Sequence, residues 1–405
     1  MTRFSAFVRP NDTVVWGQAC GEPRTLVEAL VDQGADLPAM NWFVGINHSD
    51  VLGETLPTHV QVSSYTATSG NRRLVAAGRM DILPTHYSTL PSWVSTGATA
   101  VDVALVLVSP PDAEGLYRLG AGEDYIAGAA RRVRVIVAEV NPRVPAQPDS
   151  VGFRRNEFAA IVESDRPLAA APELGEPTPT TLAVARNVAA LIPDRATIQI
   201  GVGAPPTAIL RELADHQDLG LHSGLINDDL GELIEAGVIT GRHKATDPGR
   251  HVAGTIVGGK RAIAHCATKP DVLLRGIDYI HDPATLAAQH QLDALNGGLE
   301  VDLTGQVNTE AIGSRYVGSV GGGTDFARGA VRSGGPAVVA LGSRSQTGST
   351  IVARLSGTAS IPRTDVDVVV TEHDTARLRG VGLDERRHRL LAICDPEFRD
   401  ASAQT

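Results

Sequence analysis

Apolar positions along this chain come in short uninterrupted runs rather than in alternation. Thr13-Val-Val-Trp16, Val101–Val108, Val133–Val140, Ala196-Thr-Ile-Gln-Ile200, Pro336–Leu341 and Val366–Thr371 read as strands covered on both faces. That is the pattern of parallel sheets held between helix layers. Pro110-Pro111-Asp112 stops the second run. Elsewhere the apolar spacing turns helical, and it predicts helices over Thr25–Val31, Leu182–Leu191, Thr207–Ala214 and, briefly, Ala376–Arg379.

Two of the strands end in glycine turns that lead into helices. Gly17-Gln-Ala-Cys-Gly-Glu-Pro23 follows the first strand, and Gly201-Val-Gly-Ala-Pro-Pro206 follows Ala196–Ile200. A His-Ser pair trails each unit, His48-Ser49 and His222-Ser223. The same order of parts in two halves suggests an internal duplication. The proline-rich stretch 165–181 has no hydrophobic period and reads as the linker. The expected fold class is α/β, with two similar open domains of mostly parallel strands over residues 1–175 and 176–405.

Composition narrows the class of function. The 405 residues are 42% hydrophobic, 20% charged and only 4% aromatic, so the core rests on Val, Ala, Leu and Ile. The formal charge is −10 with no basic stripe, which excludes nucleic acid as an expected partner. No stretch approaches 18 uninterrupted apolar residues and the start lacks an apolar signal region, so no membrane partner is expected. Three scattered cysteines, Cys20, Cys266 and Cys394, suit a reducing cytoplasm. The 12 histidines form no cluster with cysteine or carboxylate, so no metal is expected.

Four segments could carry chemistry. Gly201-Val202-Gly203-Ala204 sits between a strand and a helix, where bare backbone N–H groups and the helix dipole could hold a phosphate, a carboxylate or a developing oxyanion. A tight turn with no ligand fits the same residues equally well. Gly321-Gly322-Gly323, followed by Thr324, Asp325 and Phe326, reads as a second bare turn at a helix start, either anion-facing or a flexible loop. His222-Ser223-Gly224 with Asp228 offers a histidine beside a serine. Neighbours on a strand point to opposite faces, however, so a hydrogen-bonded structural histidine is the competing reading. Asn296, Glu300, Asp302 and Glu310 lie in a polar strand-and-turn that could line a pocket or satisfy buried backbone. Cys20 reads as a small buried hydrophobe rather than a nucleophile.

Read as strings, the segments resemble one family. Gly17-Gln-Ala-Cys-Gly-Glu-Pro-Arg-Thr-Leu26, Val108-Ser-Pro-Pro-Asp112, Ile198-Gln-Ile-Gly-Val-Gly-Ala204, Asp218-Leu-Gly-Leu-His222, Leu299-Glu-Val-Asp-Leu-Thr-Gly-Gln-Val-Asn308 and Asp325-Phe-Ala-Arg-Gly-Ala330 resemble the acetyl-CoA hydrolase/transferase family, which includes the 4-hydroxybutyrate CoA-transferases. The resemblance runs from about residue 14 to 399. It implies an active site at the interface of the two domains, coenzyme A as substrate or product, and a homo-oligomer. In the family's transferases a glutamate attacks the thioester and forms an acyl-glutamyl anhydride. That glutamate ends a His-Thr-Glu string, where this chain reads His222-Ser223-Gly224.

Glycine cannot form the anhydride. The expected function is therefore direct attack on a CoA thioester, by hydrolysis or acyl transfer. The catalytic candidates are His222, Gly224, Asp228 and Glu300, with Glu22 behind them. Gly201, Val202, Gly203, Ala204, Asn296, Gly321, Gly322, Gly323, Asp325 and Phe326 are the candidates for holding the CoA ester. Two alternatives stand beside it: CoA transfer through a displaced carboxylate such as Glu22, Glu300 or Glu310, and a catalytically silent CoA-binding protein.

Overall fold

The computed structural model describes residues 2–53, 56–96, 100–172, 175–346, 348–397 and 399. The apolar runs become the strands of two large sheets. The first holds seven strands: β1 (Thr13–Trp16), β2 (Met40–Val44), β3 (Val60–Ser64), β4 (Asp81–Ile82), β5 (Val103–Val108), β6 (Val135–Val140) and β7 (Ala160–Glu163). Their order is β4-β3-β2-β1-β5-β6-β7, parallel throughout.

All six residues of β5 are buried, which is why its sequence shows no alternation. Parity still sorts them. Val14, Trp16, Trp42 and Leu105 join one core cluster, while Val15, Phe43, Ala104 and Val106 join the other, because successive side chains leave a strand on opposite faces. Trp16 and Trp42 meet edge to face at 5.9 Å. A fully buried large apolar side chain of this kind contributes about 1.5–3 kcal/mol.

The second sheet holds eight strands: β8 (Thr197–Ile200), β9 (Gly220–Ile226), β10 (His251–Ile256), β11 (Val272–Leu274), β12 (Leu292–Gly297), β13 (Ala337–Ala340), β14 (Val368–Val370) and β15 (Thr375–Arg377). Their order is β11-β10-β9-β8-β12-β13-β14-β15. It repeats the order of the first sheet and adds an antiparallel edge strand, β15. Glu300–Asp302 lies in a separate three-stranded sheet with Val307–Asn308 and Ile351–Val352.

Two expectations need correction. The helix expected over Ala376–Arg379 is strand β15 with its continuation: Ala376 and Leu378 are buried while Arg377 and Arg379 are exposed. That period of two marks a strand with one covered face. The helix expected from Thr207 is α4 and begins earlier, at Ala204, running to Glu212. Prolines are tolerated in a first turn, where their missing N–H groups would have no partner in any case.

By internal contacts the chain forms two compact units. One comprises Met1–Glu173, Gly224–Asp228 and Val252–Ile280; the other comprises Leu174–Ser223, Asp229–His251 and His281–Thr405. Both are discontinuous in sequence, where the sequence reading drew a single cut. In each large sheet the strand order reverses direction once, between β1 and β5 and between β8 and β12. Open α/β sheets bind ligands at the carboxyl ends of the strands flanking such a reversal. The two glycine turns leave from those places.

Candidate active site

In the second unit, the turn after β8 is built for exposure. Val202 is 57% exposed although it is apolar, and Gly203 has φ of +125°, a conformation that only glycine adopts without strain. Not every amide in the turn is available. The Gly201 N–H donates to the Leu295 carbonyl at 2.8 Å, and Pro205 and Pro206 have no N–H to offer at the start of α4. The donors left at this helix N-terminus are the amides of Val202, Gly203 and Ala204. A Cβ on Gly201 would lie 3.0 Å from Asn296 Oδ1, so Asn296 comes up beside the turn.

Asn296 is held there by Gln199. The Gln199 Nε2 donates to Asn296 Oδ1 at 3.3 Å, and the Asn296 Nδ2 donates to Gln199 Oε1 at 3.1 Å. This reciprocal amide pair joins the ends of β8 and β12. The sequence singled out Asn296 and missed Gln199, because only strand pairing brings residues 97 positions apart together.

The other candidates of this unit have structural partners. His222 on β9 is fully buried, and its Nδ1 lies 3.3 Å from Gln289 Nε2. Ser223 bonds the backbone of Ile200 through its Oγ, at 3.3 Å to both N–H and carbonyl. Glu300 accepts from the Ser356 N–H at 3.0 Å and from its hydroxyl at 2.8 Å, in the separate small sheet. The Glu310 Oε2 accepts from Thr358 at 2.8 Å.

The glycine run has two distinct causes. Gly321 has φ of +57°, while Gly322 makes room for the buried ring of His281. Helix α6 (Gly323–Ser333) starts there. Asp325 reaches His281 Nδ1 at 3.4 Å, and Phe326 is buried with its ring 4.7 Å from the imidazole. Phe326 belongs to the packing beneath the turn.

In the first unit, Gly224 sits on β9, half-buried, beside Gly254 of β10. A Cβ on Gly254 would come within 2.8 Å of the Gly224 carbonyl oxygen. Asp228 begins the helix Asp228–Glu235 and caps another, α5 (Lys260–Thr268): its Oδ2 accepts from Gly259 N–H at 3.1 Å and its Oδ1 from Ala262 N–H at 2.6 Å. Both oxygens are engaged as a negative charge at a helix N-terminus would be. Cys20 is buried, donates to the Gly258 carbonyl at 3.5 Å, and burial pushes its thiol up to about 12. It is not a thiolate nucleophile at neutral pH.

Around the turn after β1 the structure assembles a polar cluster. Gln18 is its hub, donating from Nε2 to Tyr87 Oη at 2.7 Å and accepting at Oε1 from Tyr65 Oη at 2.8 Å and from Ile46 N–H at 2.9 Å. Beside it lies Asp124, the first residue of α2 (Asp124–Ala130). Its Oδ2 is buried without a hydrogen-bond partner, and burial pushes its carboxyl up to about 7, against hydrogen bonding that favours the charge. On the other flank Glu22, 2% exposed, is likewise raised to about 7, chiefly by burial. Perturbed acids cluster at functional sites, where burial and neighbouring groups shift them.

Among the described residues, no three His, Cys, Asp or Glu side chains are grouped as a metal would require, and no helix is long and apolar enough to cross a membrane.

Comparison with known proteins decides the family. The acetyl-CoA hydrolase/transferase N-terminal domain matches residues 4–166, and the C-terminal domain of the same family matches residues 258–404. The chain belongs to the acetyl-CoA hydrolase/transferase family. It is 34% identical to the 4-hydroxybutyrate coenzyme A transferase of Clostridium kluyveri over 97% of this chain and 93% of that one. It is 29% identical to the succinyl-CoA:cyclohexane-1-carboxylate CoA transferase of Geobacter metallireducens, over 98% and 91% respectively. RipA from Yersinia pestis has a similar structure, with a TM-score of 0.92 at 30% identity, covering 99% of this chain and 94% of that chain. Membership in the acetyl-CoA hydrolase/transferase family makes the chain an enzyme of CoA thioesters. The two-domain α/β architecture with mostly parallel sheets is shared with these neighbours.

Proposed function

We propose that this protein attacks the thioester of an acyl-CoA directly, with water or another small acceptor, and without an acyl-glutamyl intermediate. The observation that carries this reading is Gly224. In the resemblance drawn from the sequence, position 224 is where the family's His-Thr-Glu places its nucleophile; here it is a backbone glycine flanked by Gly254 of the adjacent strand. Neither contributes a carboxylate.

The chemistry left to the site is electrostatic. Attack by a water oxygen on the carbonyl carbon builds negative charge on the carbonyl oxygen. The amides of Val202, Gly203 and Ala204 suit that oxygen, and the dipole of α4 supports them. Collapse breaks the C–S bond, the CoA thiolate leaves and takes a proton, and the acid is released. A single oxyanion donor is typically worth about 10²–10³-fold in rate, so such a site sustains turnover without a covalent step. His222, Asp228 and Glu300 are each committed to neighbours in this structure, and we give none of them the role of general base.

A second reading, CoA transfer through a displaced carboxylate, is supported by the transferase relatives. Each of the three acids that could serve it has a hydroxyl partner: Ser356 for Glu300, Thr358 for Glu310 and Ser49 for Glu22. One experiment separates the two. Free thiol is followed across a panel of acyl-CoAs with and without acetate. Thiol release without acetate supports direct attack; exchange that strictly requires the carboxylate overturns it.

A further inference from the structure

The first sheet carries a cavity on the face opposite Trp16 and Trp42. Val15 and Phe43 line it from the sheet, Tyr125 and Ala129 from α2, and Leu90 and Trp93 from the helix Leu90–Thr96. All six belong to one core cluster or pack against it. The space measures about 20 Å³. About 10–15 Å³ admits one water molecule, so it takes an alkyl end of about two or three carbons. The Tyr125 hydroxyl offers nothing to an occupant, because it donates to the Trp16 carbonyl at 2.6 Å. A cavity walled in this way favours apolar ligands over water.

Gly128 keeps the space open. It lies inside α2, where glycine destabilises a helix relative to alanine, and a Cβ there would meet nothing within 4 Å. Packing does not demand it, in contrast to Gly122, where a Cβ would lie 2.3 Å from Thr255 Oγ1. Gly128 is itself part of the lining, so a side chain there would take up the room. One turn on, Arg132 is the charged residue of the lining among the described residues. It is exposed, its Nη1 reaches the Gly128 carbonyl at 3.5 Å, and among the described residues it forms no ion pair. A guanidinium at the mouth of an apolar pocket suits a carboxylate, which it holds through paired N–H donors. Val101, also in the lining, precedes β5, and Arg132 precedes β6. The charged rim is therefore at the amino ends of these strands, whereas the glycine turn after β1 leaves from a carboxyl end. The six residues of β5 put about 15–20 Å between the two ends.

We propose that this cavity is a second small-molecule site, separate from the glycine turns, for an aliphatic monocarboxylate whose alkyl end enters beside Gly128 and whose carboxylate pairs with Arg132. The ligand is an effector rather than a reactant, since the cavity holds no nucleophile and lies at the far end of the strands. The site stands on the cavity, the bare helix position and the guanidinium together, and it does not depend on the reaction proposed above.

Trp93 reports on the test. The chain has 3 tryptophans, and Trp16 and Trp42 pack on the other face of the sheet. Pentanoate is titrated into the full-length protein, against acetate, which lacks the tail, and pentan-1-ol, which lacks the charge. Pentanoate should change the tryptophan fluorescence saturably, with a Kd of about 1 mM or below. Acetate should give no change, and pentan-1-ol should bind at least about tenfold more weakly than pentanoate. Gly128→Leu fills the cavity and should abolish pentanoate binding without lowering the melting temperature. Arg132→Gln should weaken pentanoate by at least about tenfold and leave pentan-1-ol unchanged. A signal that never saturates, or binding of pentan-1-ol or acetate equal to that of pentanoate, overturns the site, and neither result needs a variant to fold. Pentanoate binding unchanged in Gly128→Leu overturns it as well, by placing the acid elsewhere, as at the active site. Each of these failures leaves the acyl-CoA reading intact, because that reading is tested by thiol release.

Discussion

His281 occupies the space where a side chain at Gly322 would be. A Cβ on Gly322 would lie 2.3 Å from the imidazole Cε1 and 2.9 Å from Nδ1, and the ring, only 3% exposed, has Phe326 and Asp325 around it. A bare backbone that looks designed for a ligand is thus required at this residue by packing.

The consequence is that Gly322→Ala should cost about 1–3 kcal/mol, the usual range for overfilling a packed core. Urea unfolding measures it. Gly323→Ala is the control, because its Cβ would make ordinary contact with Ile361 at 3.4 Å and should be far milder. Equal effects would show that the ring moves freely aside.

Gly203→Ala tests the exposed turn by another mechanism. Nothing lies within 4 Å of a Cβ at this position, so any effect comes from the backbone, whose φ of +125° should cost alanine about 1–3 kcal/mol. If the amides of Val202–Ala204 hold the carbonyl oxygen, displacing them should lower kcat/KM by at least about tenfold. Steady-state kinetics beside a melting curve separates the two effects; unchanged kinetics would remove this turn from the oxyanion site.

If the thioester is held beside residue 224, Gly224→Glu should open a covalent route. With a carboxylate on β9, incubation with an acyl-CoA should add CoA or acyl mass to the protein, and acetate-dependent exchange should rise above the wild-type level. Intact-mass spectrometry with hydroxylamine release reads the adduct. A folded variant without adduct would place the reaction elsewhere.

Asp293 gives a pH prediction. It lies fully buried on β12 with neither carboxyl oxygen hydrogen-bonded, and burial alone pushes it up to about 8 from an ordinary value of 3.8. The folded chain therefore holds a proton that the unfolded chain releases. The stability tied to it is complete below about pH 4 and declines as the pH rises towards about 8, where the folded group itself ionises. Asp293→Asn should flatten that decline, by up to about 2 kcal/mol between pH 6 and 8. Denaturation midpoints across the range measure it, and parallel curves for the two proteins would refute it.

Much of the fold was legible because its strands are covered on both faces. Runs such as Val103–Val108 announce themselves without knowledge of their neighbours. The β15 strand was legible too, in the alternation of Ala376, Arg377, Leu378 and Arg379, but four residues with good helix formers among them carried the wrong period. Gln199, Gln18 and Asp124 gave no local sign. Each matters only through a partner tens of residues away, as with Gln18 and Tyr87 across 69 positions.

The sequence by itself determined the layered α/β class, the two glycine turns and, through its strings, the family. It also determined that residue 224 has no side chain, on which the proposed direct attack rests. The tertiary structure decided which polar groups are spent and which remain available. It gave the Gly201 amide to Leu295, both Asp228 oxygens to a helix end and the Gly322 clearance to His281, and it left Glu22 Oε2 and Asn47 Nδ2 unpaired. Hydrogen-bond capacity is a property of the residue, but its satisfaction depends on which distant atoms folding brings within about 3 Å.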